Sequence, residues 1–202
     1  MSGLPSEDRP RVGLRERKKA KTRAAIQHEA LRLFREQGYE ATTVEQIAEA
    51  VEVSPSTFFR YFPTKEDVVL TDEHDPPLIE AFRAQPPELT SVQALRGAMR
   101  AVFAGLTDED LADMRERMEL TRSVPELRAA WLGQLAEGMR MVAVLVAERV
   151  GRDPGDFAVR TLAGALLGVM ISVMFQWAER PESDLIALLD AAMAHLESGL
   201  PL

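Results

Sequence analysis

The sequence predicts an all-α protein of about nine helices, and three observations carry that prediction. Apolar residues recur at three- and four-residue spacing through most of the chain. Charged residues reach 28% against 6% aromatics. Helix-capping signals punctuate the pattern at intervals of one to three turns. An apolar share of 46% over 202 residues is ample for a buried core, in one large domain or two small ones.

Residues 1–14 show no periodicity and read as a disordered arm. From Arg15 to Gln37, Ile26, Ala30, Leu33 and Phe34 share one helical face, and Gly38 stands at the C′ position, where a left-handed residue is needed. Thr43 with Gln46 forms a capping box for a second helix, buried through Val44, Ile47, Ala48 and Val51. "EVSPS" interrupts it after about two turns. Ser54 caps a third helix with Pro55 at its first position, and Pro63 ends it at Phe62. Thr64 with Asp67 opens a fourth. Helix, helix, tight turn, helix over residues 15–70 is the helix-turn-helix arrangement.

Residues 71–90 carry two proline pairs and read as the junction to a second helical domain, 71–202. There Val92, Leu95, Met99, Val102 and Leu106 keep helical spacing, as do Trp131, Leu135, Met139, Val142 and Val146. A helix over 107–122 lies between them. Pro125 restarts the chain, Asp153-Pro154 opens the next helix to about Glu179, and Ser183 caps the last one.

Four of the twelve aromatics fall in the five positions 58–62. Phe58 and Phe62 are four apart and share a face that meets Ile47 and Val51. Ser56, Phe59 and Arg60 point elsewhere, with Tyr61 at the edge. An exposed Phe beside an exposed Arg suits a major groove, where Arg grips guanine and apolar atoms meet thymine methyls. Charge agrees. Residues 1–65 hold 12 Lys+Arg against 9 Asp+Glu, net +3; residues 66–202 hold 12 against 23, net −11. A basic head on an acidic body points to a polyanionic partner for the head.

The stretch "TRAAIQHEALRLFREQGYEATTVEQIAEAVEVSPSTFFRYFPTKEDVVL", residues 22–70, resembles the N-terminal domain of TetR-family transcriptional regulators. Thr22, Ile26, Ala30, Phe34, Gly38, Thr43, Ile47, Ala48, Val53, Ser54, Tyr61, Phe62, Lys65 and Asp67 stand in the family's order. Two departures are Ser56, where glycine is common, and Phe59, where tyrosine is usual. The resemblance implies a cytoplasmic, dimeric regulator, in the first instance a repressor, reading a palindromic double-stranded DNA operator. Bases are expected at Ser56, Thr57, Phe59 and Arg60. Phosphates are expected at Arg17, Lys18, Lys21, Thr43, Tyr61 and Lys65, helix N-termini being favourable anion sites. An activator, or an architectural DNA-binder without an effector, is the alternative.

In the body, "RMELTRSVPELRAAW" and "RTLAGALLGVM" resemble the subgroup that includes the mycofactocin-system regulator. Met99, Phe103, Met114, Met118, Trp131, Leu135, Met139, Met170, Met174 and Trp177 read either as core or, as the resemblance implies, as a pocket for an apolar or amphipathic effector, acyl-CoA-like among the options. Arg117 and Arg122 are candidates for an anionic head group. Gly164, Gly168, Ser172 and Gln176 repeat every fourth residue, and the small members let a second helix approach. With Leu185, Leu189 and Met193 this face packs either within the chain or against a second copy; the resemblance implies the latter, a homodimer interface of Gly164, Gly168, Ser172, Leu185, Leu189 and Met193.

Other classes find little support. Cysteine is absent, so disulfides, thiolate catalysis and Cys-ligated zinc are excluded. The three histidines are scattered and no Gly-rich phosphate loop occurs, which argues against an enzyme or carrier. His74, between Glu73 and Asp75, reads as solvated rather than as a metal ligand, and no cofactor is expected. The first 23 residues lack an apolar run, so no secretory signal is expected. Residues 161–178 carry no charge over eighteen positions and graze the membrane threshold. Their glycines, serine and glutamine argue for a soluble helix.

Overall fold

The computed structural model describes residues 13–71, 75–180 and 182–201, without the side chains of Leu14, Glu16, Arg17 and Asp75. The expected arm falls almost wholly outside these residues, as does His74. Ten helices and no strand occur among the described residues: α1 Leu14–Gln37, α2 Val44–Ala50, α3 Pro55–Tyr61, α4 Lys65–Leu70, α5 Asp75–Arg83, α6 Ser91–Phe103, α7 Asp108–Ser123, α8 Pro125–Val150, α9 Phe157–Glu179 and α10 Leu185–Glu197. The chain divides into two compact units between Val68 and Val69.

The helix more than expected is α5, which forms inside the presumed junction. Pro76 and Pro77 occupy its first turn, where a helix has no use for their missing N–H groups. The second proline pair lies past its end. There Arg149 of α8 donates to the carbonyls of Leu89 (3.1 Å), Gln85 (3.4 Å) and Pro86, fastening the α5–α6 connection to α8.

Two helix starts also differ from expectation. Asp153 accepts from the Gly155 N–H at 2.7 Å and so shapes a turn; Asp156, not the Asp153-Pro154 pair, caps α9 by accepting from Ala158 N. Asp184 rather than Ser183 caps α10, accepting from both Ile186 N and Ala187 N. An Asp or Ser beside a helix signals a cap, but only backbone geometry decides which of two neighbours takes it.

In the N-terminal unit Ile26, Ala30, Leu31 and Phe34 of α1 are buried with Tyr39, Ile47, Ala48, Phe58, Phe62 and Val68. Gly38 ends α1 at φ +89°, ψ 154°, a positive-φ conformation beyond the left-handed helical region that only glycine adopts freely. Thr43 and Gln46 form the expected reciprocal cap. In the C-terminal unit the core draws on α5, α6, α7, α8, α9 and α10. The uncharged α9 buries Val159, Ala163, Leu166, Val173 and Trp177 in it.

An ion-pair cluster holds α6 to α10. Arg96 grips Asp190 with two hydrogen bonds of 2.6 Å and reaches Glu197 at 3.4 Å, while Arg100 pairs with Asp190 as well. Hydrogen bonds from Arg96 are the main reason the Asp190 carboxyl titrates at about 2, below its ordinary 3.8. A depressed folded-state value means that this stabilisation is complete above the unfolded value and is lost as pH falls through the folded one. Asp190→Asn should therefore lower the melting temperature at neutral pH by roughly 2–4 °C, for about 1 kcal/mol. The gap to the wild type should close between about pH 4 and pH 2. Thermal scans across that range check both statements.

Candidate nucleic-acid interface and effector cavity

A seven-residue helix is too short to persist alone, so α3 depends on what anchors it. Ser54 accepts from the Thr57 N–H at 3.2 Å, Pro55 takes the first position, and Phe58 and the C-capping Phe62 are fully buried. The turn before it passes through Glu52 at φ 54° and is closed by Val53 N donating to Ala48 O at 2.9 Å. With its aromatics buried on one side, α3 leaves Ser56, Phe59 and Arg60 exposed on the other.

The expected base readers are not equivalent. The Thr57 hydroxyl lies 3.0 Å from Ser54 Oγ and its side chain is half-buried, whereas Ser56, 2.8 Å from the same oxygen, is exposed. The Arg60 guanidinium lies 5.5 Å from the Tyr61 ring centroid. Of the expected phosphate contacts, Lys18, Lys21 and Thr43 are exposed and Tyr61 is half-buried; the side chain of Arg17 lies outside the described residues.

Lys65 departs from expectation. Its ammonium donates to Tyr39 O at 2.7 Å and Thr42 O at 2.9 Å, and sits 4.0 Å from the Tyr39 ring centroid. Those carbonyls belong to the α1–α2 connection, so Lys65 ties the start of α4 to that turn. Sequence reasoning also missed two side chains of α1. Arg23 lies over the Phe62 ring at 4.6 Å and donates to Tyr61 O at 3.3 Å, and buried Gln27 donates to Val68 O at 2.8 Å. Their i, i+4 spacing placed them on one face, and that face carries a charge and an amide inward.

The C-terminal unit encloses a cavity of about 300 Å³. Of the expected lining, Phe103, Met114, Met118, Trp131, Leu135, Met170 and Met174 stand in its wall. Met99, Met139 and Trp177 do not. Met99, between the wall residues Leu95 and Phe103 on one stripe of α6, is buried in the core without reaching the cavity. Met139 is exposed; it follows Gly138, which lines the cavity, by about 100° of helical rotation, and Met141 takes the wall position instead. Trp177 is buried in the core, donating to Ser183 O at 3.1 Å with the Arg115 guanidinium 4.2 Å from its ring centroid. α5 adds Leu78, Ile79 and Phe82, a contribution that followed from missing that helix.

Arg117 is the one charged side chain in the described wall. It is buried and donates to Thr71 O at 3.1 Å. Arg122 is exposed and paired with Glu119 at 2.9 Å, so only Arg117 of the two candidate cations reaches the cavity.

The expected interface splits. On α9, Gly168 and Ser172 are exposed and Gly164 is half-buried, with open space where either glycine would carry a Cβ. On α10, Leu185, Leu189 and Met193 are buried in the chain's own core. Periodicity identifies an apolar face, not the neighbour that covers it.

A helix-turn-helix unit and a helical unit with a ligand-sized apolar cavity define a class of one-chain regulators. Residues 26–71 match the model for bacterial regulatory proteins of the tetR family, and residues 89–201 match the MftR C-terminal domain. The HTH-type transcriptional regulator TcmR of Streptomyces glaucescens is 40% identical over 197 residues, covering 94% of this chain and 87% of its own length. FadR of Thermus thermophilus, a TetR-family repressor solved with lauroyl-CoA, is 28% identical at TM-score 0.54, covering 89% of this chain and 95% of that one. The fatty acid degradation regulator FadR of Bacillus halodurans is 26% identical at TM-score 0.58, covering 89% and 96%. The chain belongs to the TetR family, and it is a DNA-binding transcriptional regulator, not an enzyme.

Lys65→Met keeps the aliphatic stem but takes the ammonium donor from Thr42 O and leaves Tyr39 O with only the Thr42 N–H at 3.3 Å. It should lower the stability of the N-terminal unit by about 1–3 kcal/mol, as read by chemical denaturation followed by circular dichroism. Unchanged denaturation with weakened DNA binding would return Lys65 to the phosphate contacts.

Proposed function

We propose that this protein is a repressor that binds a palindromic operator as a homodimer and is released by an apolar or amphipathic effector. The observation that carries the DNA half of the reading is the outer face of α3, where Phe59 and Arg60 stand exposed above a fully buried Phe58 and Phe62. Ser56, Phe59 and Arg60 face the bases, with Thr57 at the edge of that set. Lys18, Lys21, Thr43 and Tyr61, together with Arg17, hold the phosphates. Lys65 acts by positioning α4 against the α1–α2 turn.

Two copies pack through the small-residue stripe of α9, Gly164, Gly168 and Ser172, with the exposed alanines of α10, Ala187 and Ala191, alongside. That pairing sets two α3 helices about 34–36 Å apart, one turn of duplex. The effector occupies the C-terminal cavity. The lauroyl-CoA complex of the Thermus thermophilus relative supports an acyl chain as one member of the class, and the methionine-rich wall adapts to apolar shapes. Release requires the effector to bind the DNA-competent and incompetent states with different affinity.

Selection of genomic fragments by the purified protein, followed by footprinting, tests the DNA half. A palindrome should be protected, and Arg60→Ala should weaken it by about 1–3 kcal/mol per half-site and relax preference at one base pair. Enrichment of no sequence would leave only nonspecific attraction to the basic residues. Gly168→Trp tests the assembly: with open space around that position, the variant should fold, elute as a monomer and lose operator affinity. A dimer that persists would move the interface elsewhere. Lauroyl-CoA added to the complex distinguishes an effector-responsive repressor from an architectural binder, whose DNA affinity no small molecule changes.

A further inference from the structure

We infer that Phe59 reads the C5-methyl group of one thymine in each half-site, so that the protein discriminates thymine from uracil at that position. The inference rests on α3 lying in the major groove. Phe59 is 49% exposed, and among the described residues it is the one large apolar side chain of the N-terminal unit in that state. It meets the fully buried Phe58 edge to face, with centroids 5.5 Å apart and planes at 86°, so the exposed ring rests against the core. Ser56, three residues before Phe59, is its neighbour on the helix surface, and Arg60, next in sequence, is exposed as well.

The chemistry of a phenyl ring narrows what it can recognise. It has no donor or acceptor, so it can bond neither phosphate oxygens nor the polar base edges. The major groove presents one methyl group, that of thymine; where thymine carries it, cytosine has only a C5–H. Arg60 on the same face supplies the complementary polar contact, and the net charge of +3 over residues 1–65 favours a nucleic acid over a protein or lipid occupant. Ring and guanidinium together can thus read a step in which a methyl and a guanine lie side by side.

The test uses the full-length protein and the operator it selects, with each thymine replaced singly by deoxyuridine, a change that removes one methyl and nothing else. Affinities are read by fluorescence anisotropy at low ionic strength, where phosphate contacts keep weak complexes measurable. One position, repeated symmetrically in both half-sites, should lose about three- to tenfold. In Phe59→Ala, shown to be folded by circular dichroism, that ratio should fall to about one. A G·C pair at the same position should be bound more tightly when its cytosine carries a 5-methyl group. The inference is overturned if no thymine is sensitive in the wild type, or if the sensitivity survives in Phe59→Ala. Failure to select any operator would instead overturn the assignment of α3 to the groove, and this inference with it.

Discussion

The DNA-facing surface depends on the burial of two phenylalanines. A helix of seven residues falls well short of the length at which helices persist in water, and α3 exists because Phe58 and Phe62 drive one side of it into the core. Each ring removed from water is worth on the order of 1.5–3 kcal/mol, comparable with the cost of ordering the few residues around it. The same burial has a geometric consequence: with positions 58 and 62 inward, positions 56, 59 and 60 must face out. One constraint therefore makes the helix and chooses its functional face, and the Phe59 ring rests on the ring below.

Long polar side chains then secure the ends. Arg23 covers Phe62 and bonds the Tyr61 carbonyl where α3 stops, Gln27 takes the carbonyl of Val68, and Lys65 takes those of Tyr39 and Thr42. Helix ends and tight turns leave carbonyls with spare acceptor capacity; Tyr39 O, for one, takes the Thr42 N–H as well as the Lys65 ammonium. Three side chains reaching across elements use that capacity while their stems add apolar contact. A basic residue near a DNA-binding helix is thus not by itself a phosphate contact: the same charge can be engaged inward.

Caps and short-range spacing were legible in the sequence because they are decided within a few residues. The Thr43–Gln46 box, Ser54 with Pro55, Thr64 with Asp67 and the inward pair Phe58 and Phe62 all belong to this group. What could not be read depends on competition or on distant neighbours. Pro76 and Pro77 looked like breakers because their tolerance at a helix start shows only once the helix is known. Met139 and Met141 carry the same chemistry two residues apart and are both exposed, and only the orientation of α8 puts Met141 and not Met139 at the cavity. Leu185, Leu189 and Met193 make a clear apolar face, yet whether this chain or a second copy covers it is settled by the placement of α6 and α9. Lys65 and Arg23 belong here too, since their partners lie 26 and 38 residues away.

A net charge of −8 stands against the binding of a polyanion, and screening resolves the tension. At physiological ionic strength the Debye length is about 8 Å, so a phosphate responds mainly to charges within a few bond lengths of contact. The net −11 of residues 66–202 adds little to the energy of a docked basic face. It acts instead on encounters in other orientations, where acidic surface meets the polyanion and is repelled. Nonspecific affinity comes almost entirely from electrostatics, whereas base reading adds directed hydrogen bonds and apolar contacts at base edges. An acidic body therefore lowers the unwanted term more than the wanted one, and raises the ratio that decides where on a genome such a regulator is found.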